Sequence, residues 1–161
     1  MDNKVVQTLA RAFVQLGFSS LRFNFRGVGA SEGAWDEGRG EVDDAIAVLD
    51  ALHPDPALPL VVAGFSFGGY VASQVAARAG ARHGLVRTVL VGPATQNFSV
   101  APVAENTLVI QGELDDVVPL QATLDWARPQ SLPVVVVPGG GHFFHGQLPL
   151  LKTIVLRAFA P

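Results

Sequence analysis

A continuous apolar run, Leu60-Val61-Val62-Ala63-Gly64-Phe65, passes through Ser66 straight into a helical stripe carried by Val71, Val75 and Ala76. Unbroken apolar runs of this length suit a strand covered on both faces, which means a parallel sheet with helices above and below it. The junction, Gly64-Phe65-Ser66-Phe67-Gly68-Gly69, leaves no residues for a relaxed loop. A serine held in so sharp a turn needs neighbours without a Cβ, or strand and helix cannot approach closely enough. One short stretch therefore commits the chain to the α/β class.

The rest of the chain alternates in the same way. Val5, Leu9 and Phe13 form a helical stripe that Gly17 closes, and Leu21, Phe23 and Phe25 alternate with Arg22, Asn24 and Arg26 as in a strand. A glycine-rich loop, Gly27 to Gly40, leads to a helix with Val42, Ala45, Ile46 and Leu49 on one face. Beyond the third helix, which ends at Gly80, strands are expected at Val86 to Val91, Thr107 to Ile110 and Val134 to Val137, the last as a buried strand. A short helix at Leu120, Leu124 and Ala127 and a closing helix from Leu148 to Phe159 complete the pattern. Strands alternating with helices imply right-handed crossovers and a mostly parallel sheet in three layers. No repeat or linker interrupts residues 1–161, so one domain is expected.

Composition narrows the function classes. Eleven Lys and Arg against fourteen Asp and Glu leave a net charge of −3, and the basic residues are scattered singly. Nucleic acid and anionic membrane are thus not expected as partners, since phosphate binding needs clustered cations. Cysteine is absent, which removes disulfides, thiolate nucleophiles and cysteine-bound metals. No apolar leader follows Met1 and no window offers a membrane span, so a cytoplasmic location is expected.

The candidate chemistry lies in the loops after the strands. Ser66 stands in a G-x-S-x-G turn between strand and helix, the nucleophile-elbow arrangement. There the N-terminus of the next helix and the free N–H of Phe67 are placed to stabilise an oxyanion. Gly112-Glu113-Leu114-Asp115-Asp116 follows the next-to-last strand, and Gly139-Gly140-Gly141-His142 follows the last. Ser, Asp and His in that order, each past the C-terminal end of a strand, converge on one crevice of a parallel sheet. Activation of a serine hydroxyl needs a base that exchanges protons near neutral pH, which suits imidazole. Gly27-Val28-Gly29-Ala30-Ser31-Glu32-Gly33 is no dinucleotide fingerprint, because its third glycine falls one residue late and no helix opens there. His-x-x-His at His142 and His145 lacks companion ligands, so no metal or other cofactor is expected. His145 reads as structural, His53 and His83 as solvated turn residues, Asp43-Asp44 as a solvated helix front, and Trp35 and Trp126 as packing residues.

Beyond these motifs the chain resembles the α/β hydrolases, specifically the small bacterial dienelactone-hydrolase-like group. The resemblance rests on Asn3-Lys4-Val5-Val6, Arg22-Phe23-Asn24-Phe25-Arg26-Gly27-Val28-Gly29 and Gly141-His142-Phe143-Phe144-His145-Gly146. It implies a three-layer hydrolase fold without a cap domain, with Ser66 as nucleophile, Asp115 rather than Asp116 as the acid, His142 as base and Phe67 in the oxyanion hole. The implied reaction is cleavage of a small-molecule carboxylic ester or thioester. Members of the group carry three strands and a His-Pro-rich loop before the Asn3-Lys4 helix, so a chain shortened at its N-terminus is expected. Two repairs follow: the Leu21 strand closes directly onto the Leu60 strand, or a partner chain, as in a homodimer, fills the gap. The second oxyanion donor would come from the absent part, which leaves a catalytically impaired binding or assembly module as the alternative function.

Overall fold

The computed structural model describes residues 2–160. Helix α1, Lys4–Gln15, begins where Asn3 Oδ1 accepts from the N–H groups of Val5 (2.9 Å) and Val6 (3.1 Å). A cap of this kind is worth about 1 kcal/mol. Gly17, at φ +89°, takes the left-handed turn that ends it. Helix α2 spans Arg39–Leu52, β1 Leu60–Phe65, α3 Phe67–Ala79, β2 Leu85–Val91, β3 Leu108–Gly112, α4 Leu120–Ala127, β4 Val134–Val137 and α5 Leu148–Ala158.

The four strands form one parallel sheet in the order β1-β2-β3-β4. Period-two alternation divides each strand between two apolar layers. Val61 and Phe65 join Val89, Val91 and Ile110 against α1 and α5, while Val62 faces the cluster of Val42, Ala45, Val71 and Val75 from α2 and α3. Val109, opposite in phase to Ile110, packs with Ala127 of α4. The register sets Phe65 beside Val91, Val91 beside Ile110, and Gly112 beside Val137. All four strands therefore end along one rim, and the residues after them share it.

Two expected elements differ. Leu21 to Phe25 forms no strand, and neither it nor any other described segment pairs with the free edge of β1. Direct closure onto the Leu60 strand is overturned. Side chains fix the stretch instead of a backbone ladder: the Phe25 ring meets Phe67 edge-on at 5.2 Å, and Arg26 grips Asp44 through two hydrogen bonds of 2.7 Å. That pair holds the Asp44 carboxyl below its ordinary range, chiefly through the Arg26 hydrogen bond. Asp43 likewise reaches Arg78 at 2.8 Å, so the Asp43-Asp44 front is ion-paired rather than merely solvated. β4 is the other edge of the sheet, and its Val135 and Val136 are exposed rather than buried. Between Gly92 and Thr107 there is no helix or strand, hence no lid element. Among the described residues no helix is long and apolar enough to cross a membrane.

Candidate active site

Ser66 lies at the tip of β1 with φ +54° and ψ −119°, a backbone conformation that costs a non-glycine residue on the order of 1–3 kcal/mol. Surrounding bonds hold it there. Its N–H extends the sheet to the Val91 carbonyl (3.0 Å), and its own carbonyl accepts from Gly69 (2.9 Å) and Ala94 (3.2 Å). The flanking glycines are not equivalent. A Cβ on Gly64 would collide with the Gly68 carbonyl, and one on Gly69 would press within 3.0 Å of Pro93, whereas one on Gly68 would meet open space. The tightness of the turn is thus enforced at Gly64 and Gly69. Phe67 opens α3, where first-turn N–H groups have no acceptor inside the helix. Its N–H makes no backbone hydrogen bond among the described residues.

The loop after β3 carries Asp115 back under the rim. Its side chain is fully enclosed, and both oxygens are satisfied. Oδ1 accepts from the N–H groups of Val117 (2.9 Å) and Val118 (2.7 Å), and Oδ2 from His142 Nδ1 (2.8 Å) and Gln111 Nε2 (2.9 Å). Asp116 is exposed and takes no part. A carboxylate can only accept, so Asp115 places the imidazole proton on Nδ1 and leaves Nε2 as acceptor. Nε2 stands 3.0 Å from Ser66 Oγ. The structure brings Ser66, His142 and Asp115 into one hydrogen-bonded line, with Phe67 beside it.

His142 is held from several sides. Its ring packs on Phe65 at 4.8 Å and meets the edge of Phe143 at 5.0 Å. Two residues on, the fully buried Phe144 anchors the loop in the α1/α5 core at φ +52°, an outlying conformation for an aromatic residue. Gly92, at φ +49°, passes so near that a Cβ would lie 3.4 Å from Asp115 Oδ2 and 3.7 Å from the His142 ring.

The remaining candidates fall elsewhere. His145 is exposed, with its ring 5.9 Å from that of Phe143, and Trp35 is 61% exposed, not packed. Trp126 is partly buried and donates its indole N–H to the Val100 carbonyl. His83 is buried rather than solvated: Nδ1 faces the His53 carbonyl at 3.0 Å and Nε2 faces Asp50 at 2.9 Å, while the His53 ring lies against the Leu58 and His83 carbonyls. Among the described residues no three His, Asp or Glu side chains cluster as metal ligands do. Sequence reasoning passed over Gln111 and Gly92. The signal for Gln111 is a lone amide at the end of the apolar run Leu108-Val109-Ile110.

Comparison with known proteins identifies the family and the fold. Residues 3–114 match the Hydrolase_4 family, described as serine aminopeptidase, S33. A Rickettsia prowazekii protein, RP471, is 35% identical over an alignment that covers 89% of this chain and 66% of that protein. The chain thus spans slightly less than two thirds of that curated relative. A solved α/β serine hydrolase homologue from Coxiella burnetii superposes with TM-score 0.83 at 38% identity, over 99% of this chain and 78% of its own. XC6422 from Xanthomonas campestris, described as a serine hydrolase without a lid, superposes at 0.88 and 38% identity, over 98% and 73%. The chain belongs to the Hydrolase_4 (serine aminopeptidase, S33) family of α/β serine hydrolases.

Proposed function

We propose that the protein cleaves a carboxylic ester or thioester through an acyl-enzyme on Ser66, with His142 as base and Asp115 as acid. The single observation that carries this reading is the unbroken line from Ser66 Oγ through both ring nitrogens of His142 to Asp115 Oδ2. His142 Nε2 takes the hydroxyl proton as Oγ attacks the carbonyl carbon, and the oxyanion forms toward the Phe67 N–H. The protonated ring then hands its proton to the departing alcohol or thiol. Water enters, gives a proton to Nε2 and attacks the acyl carbon; the ring passes that proton to Oγ as the acyl–oxygen bond breaks, which releases the acid and restores Ser66. Asp115 stays ionised throughout and stabilises the charged imidazole.

An uncapped site favours accessible esters, because the loop from Gly92 to Thr107 has no helix to fold over the crevice. Leu114, Val117 and Phe143 stand exposed on the loops that carry Asp115 and His142, which gives the rim an apolar character suited to the organic part of an ester. The test is labelling with a fluorophosphonate probe, with Ser66→Ala as control, followed by p-nitrophenyl esters of graded length and an aminoacyl p-nitroanilide. Labelling that depends on Ser66, with ester turnover exceeding anilide turnover, is the expected result. Folded protein without Ser66-dependent labelling would leave the catalytically impaired binding module as the reading, and anilide turnover alone would overturn the ester assignment.

A further inference from the structure

Gln111 is the penultimate residue of β3 and is fully buried, where an amide is costly unless every polar group finds a partner. All of its partners belong to the machinery around Asp115. Nε2 donates to Asp115 Oδ2 and to the Val118 carbonyl, both at 2.9 Å. Oε1 accepts from the hydroxyl of Thr123, itself fully buried on α4, at 2.9 Å. Because a carboxylate and a carbonyl can only accept, the amide has a single orientation that works. The Thr123 hydroxyl completes that arrangement by donating to Oε1, and Thr95 Oγ1 lies 3.5 Å beyond.

We propose that Gln111 is a positioning residue for the proposed acyl transfer, with Thr123 anchoring the Oε1 end of its amide. It ties the Asp115 loop to β3 at two points, the carboxylate and the Val118 carbonyl, and ties both to α4. A carboxylate held only by the His142 ring and the two N–H groups on Oδ1 can still tilt. With Gln111 on Oδ2, each oxygen has two donors and the plane is fixed. The imidazole then meets the same acceptor before and after it gains the Ser66 proton, so no turn of Asp115 accompanies the transfer. A displacement near 1 Å at such a point costs about a hundred-fold in rate. The role rests on the acyl-transfer reading and goes beyond it by adding two residues.

The experiment measures steady-state ester hydrolysis and fluorophosphonate labelling for wild type, Gln111→Met, Gln111→Glu, Thr123→Val and Thr123→Ser, each checked for folding by circular dichroism. Gln111→Met keeps the volume without the donors and is expected to lower kcat about ten- to a hundred-fold, with KM changed by less than about two-fold. Gln111→Glu turns a donor into an acceptor facing Asp115 and is expected to lose more. Thr123→Val is expected to lose activity, and Thr123→Ser, which keeps the hydroxyl, to retain it. Should Gln111→Met not fold, the Thr123 pair decides. Folded Gln111→Met or Thr123→Val with wild-type kcat, or with only KM changed, would overturn the positioning role while wild-type labelling at Ser66 stands. Wild-type protein that takes no Ser66-dependent label would overturn the acyl-transfer reading itself, and the positioning role with it.

Discussion

Ser66 Oγ and His142 Nε2 stand 3.0 Å apart although 76 positions separate them in the chain. Neither residue is brought there by its neighbours in sequence. The parallel register does it, by ending β1 and β4 on the same rim, and two residues with left-handed φ, Ser66 and Phe144, turn the chain at either side.

The strain at Ser66 is held in place by Gly64 and not by Gly68. Gly64→Ala is expected to lower the melting temperature severely or abolish folding, since its Cβ would overlap the Gly68 carbonyl. Gly68→Ala has open space at the second position of α3, where alanine is at least as well accommodated as glycine. Thermal denaturation of the two variants checks the contrast, with Gly68→Ala at or above wild type.

Adjacent aspartates have unequal roles. Asp115→Asn is expected to keep the fold but lose about 10⁴ in kcat, because an amide donor facing Nδ1 favours the wrong imidazole tautomer. Asp116→Asn is expected to leave turnover unchanged. Ester kinetics on both variants distinguish the aspartate that the family resemblance implies from its neighbour.

Burial of His83 between the His53 carbonyl and Asp50 makes it a stability residue remote from the chemistry. His83→Leu removes the donor to the part-buried His53 carbonyl and is expected to cost about 1 kcal/mol in urea denaturation. Fluorophosphonate labelling by the folded fraction should be unaltered.

Asp44 supplies a pH-dependent contribution. Its carboxyl is held below the ordinary range by the Arg26 hydrogen bond, so the pair stabilises the fold above the ordinary carboxylate range and that contribution fades as pH falls through the lowered value. Both side chains are partly exposed, which keeps the effect small. Asp44→Asn is expected to lower the melting temperature by a few degrees at most at pH 7, with the difference from wild type vanishing in strong acid.

Much of this site is legible in the sequence because its chemistry is local. A strand that runs into G-x-S-x-G, and an aspartate and a histidine placed just past later strands, declare their positions without long-range information. What the sequence hides depends on neighbours. Alternation at Leu21, Phe23 and Phe25 shows a segment suited to a strand, but a ladder needs an adjacent backbone, and none of the described segments provides one. Val134 to Val137 looks like an interior strand because four valines cannot show which strand stands at an edge. His83 acquires its partners from residues about thirty positions earlier, and Gln111 becomes informative only when the loop and α4 close around it.

The most direct test of an activated serine is the rate of fluorophosphonate acylation, with the modified residue located by peptide mass mapping. In wild type the adduct should map to Ser66, and His142→Ala, still folded, should label at least about a thousand-fold more slowly. An adduct on another residue, or equal rates with and without the imidazole, would contradict it.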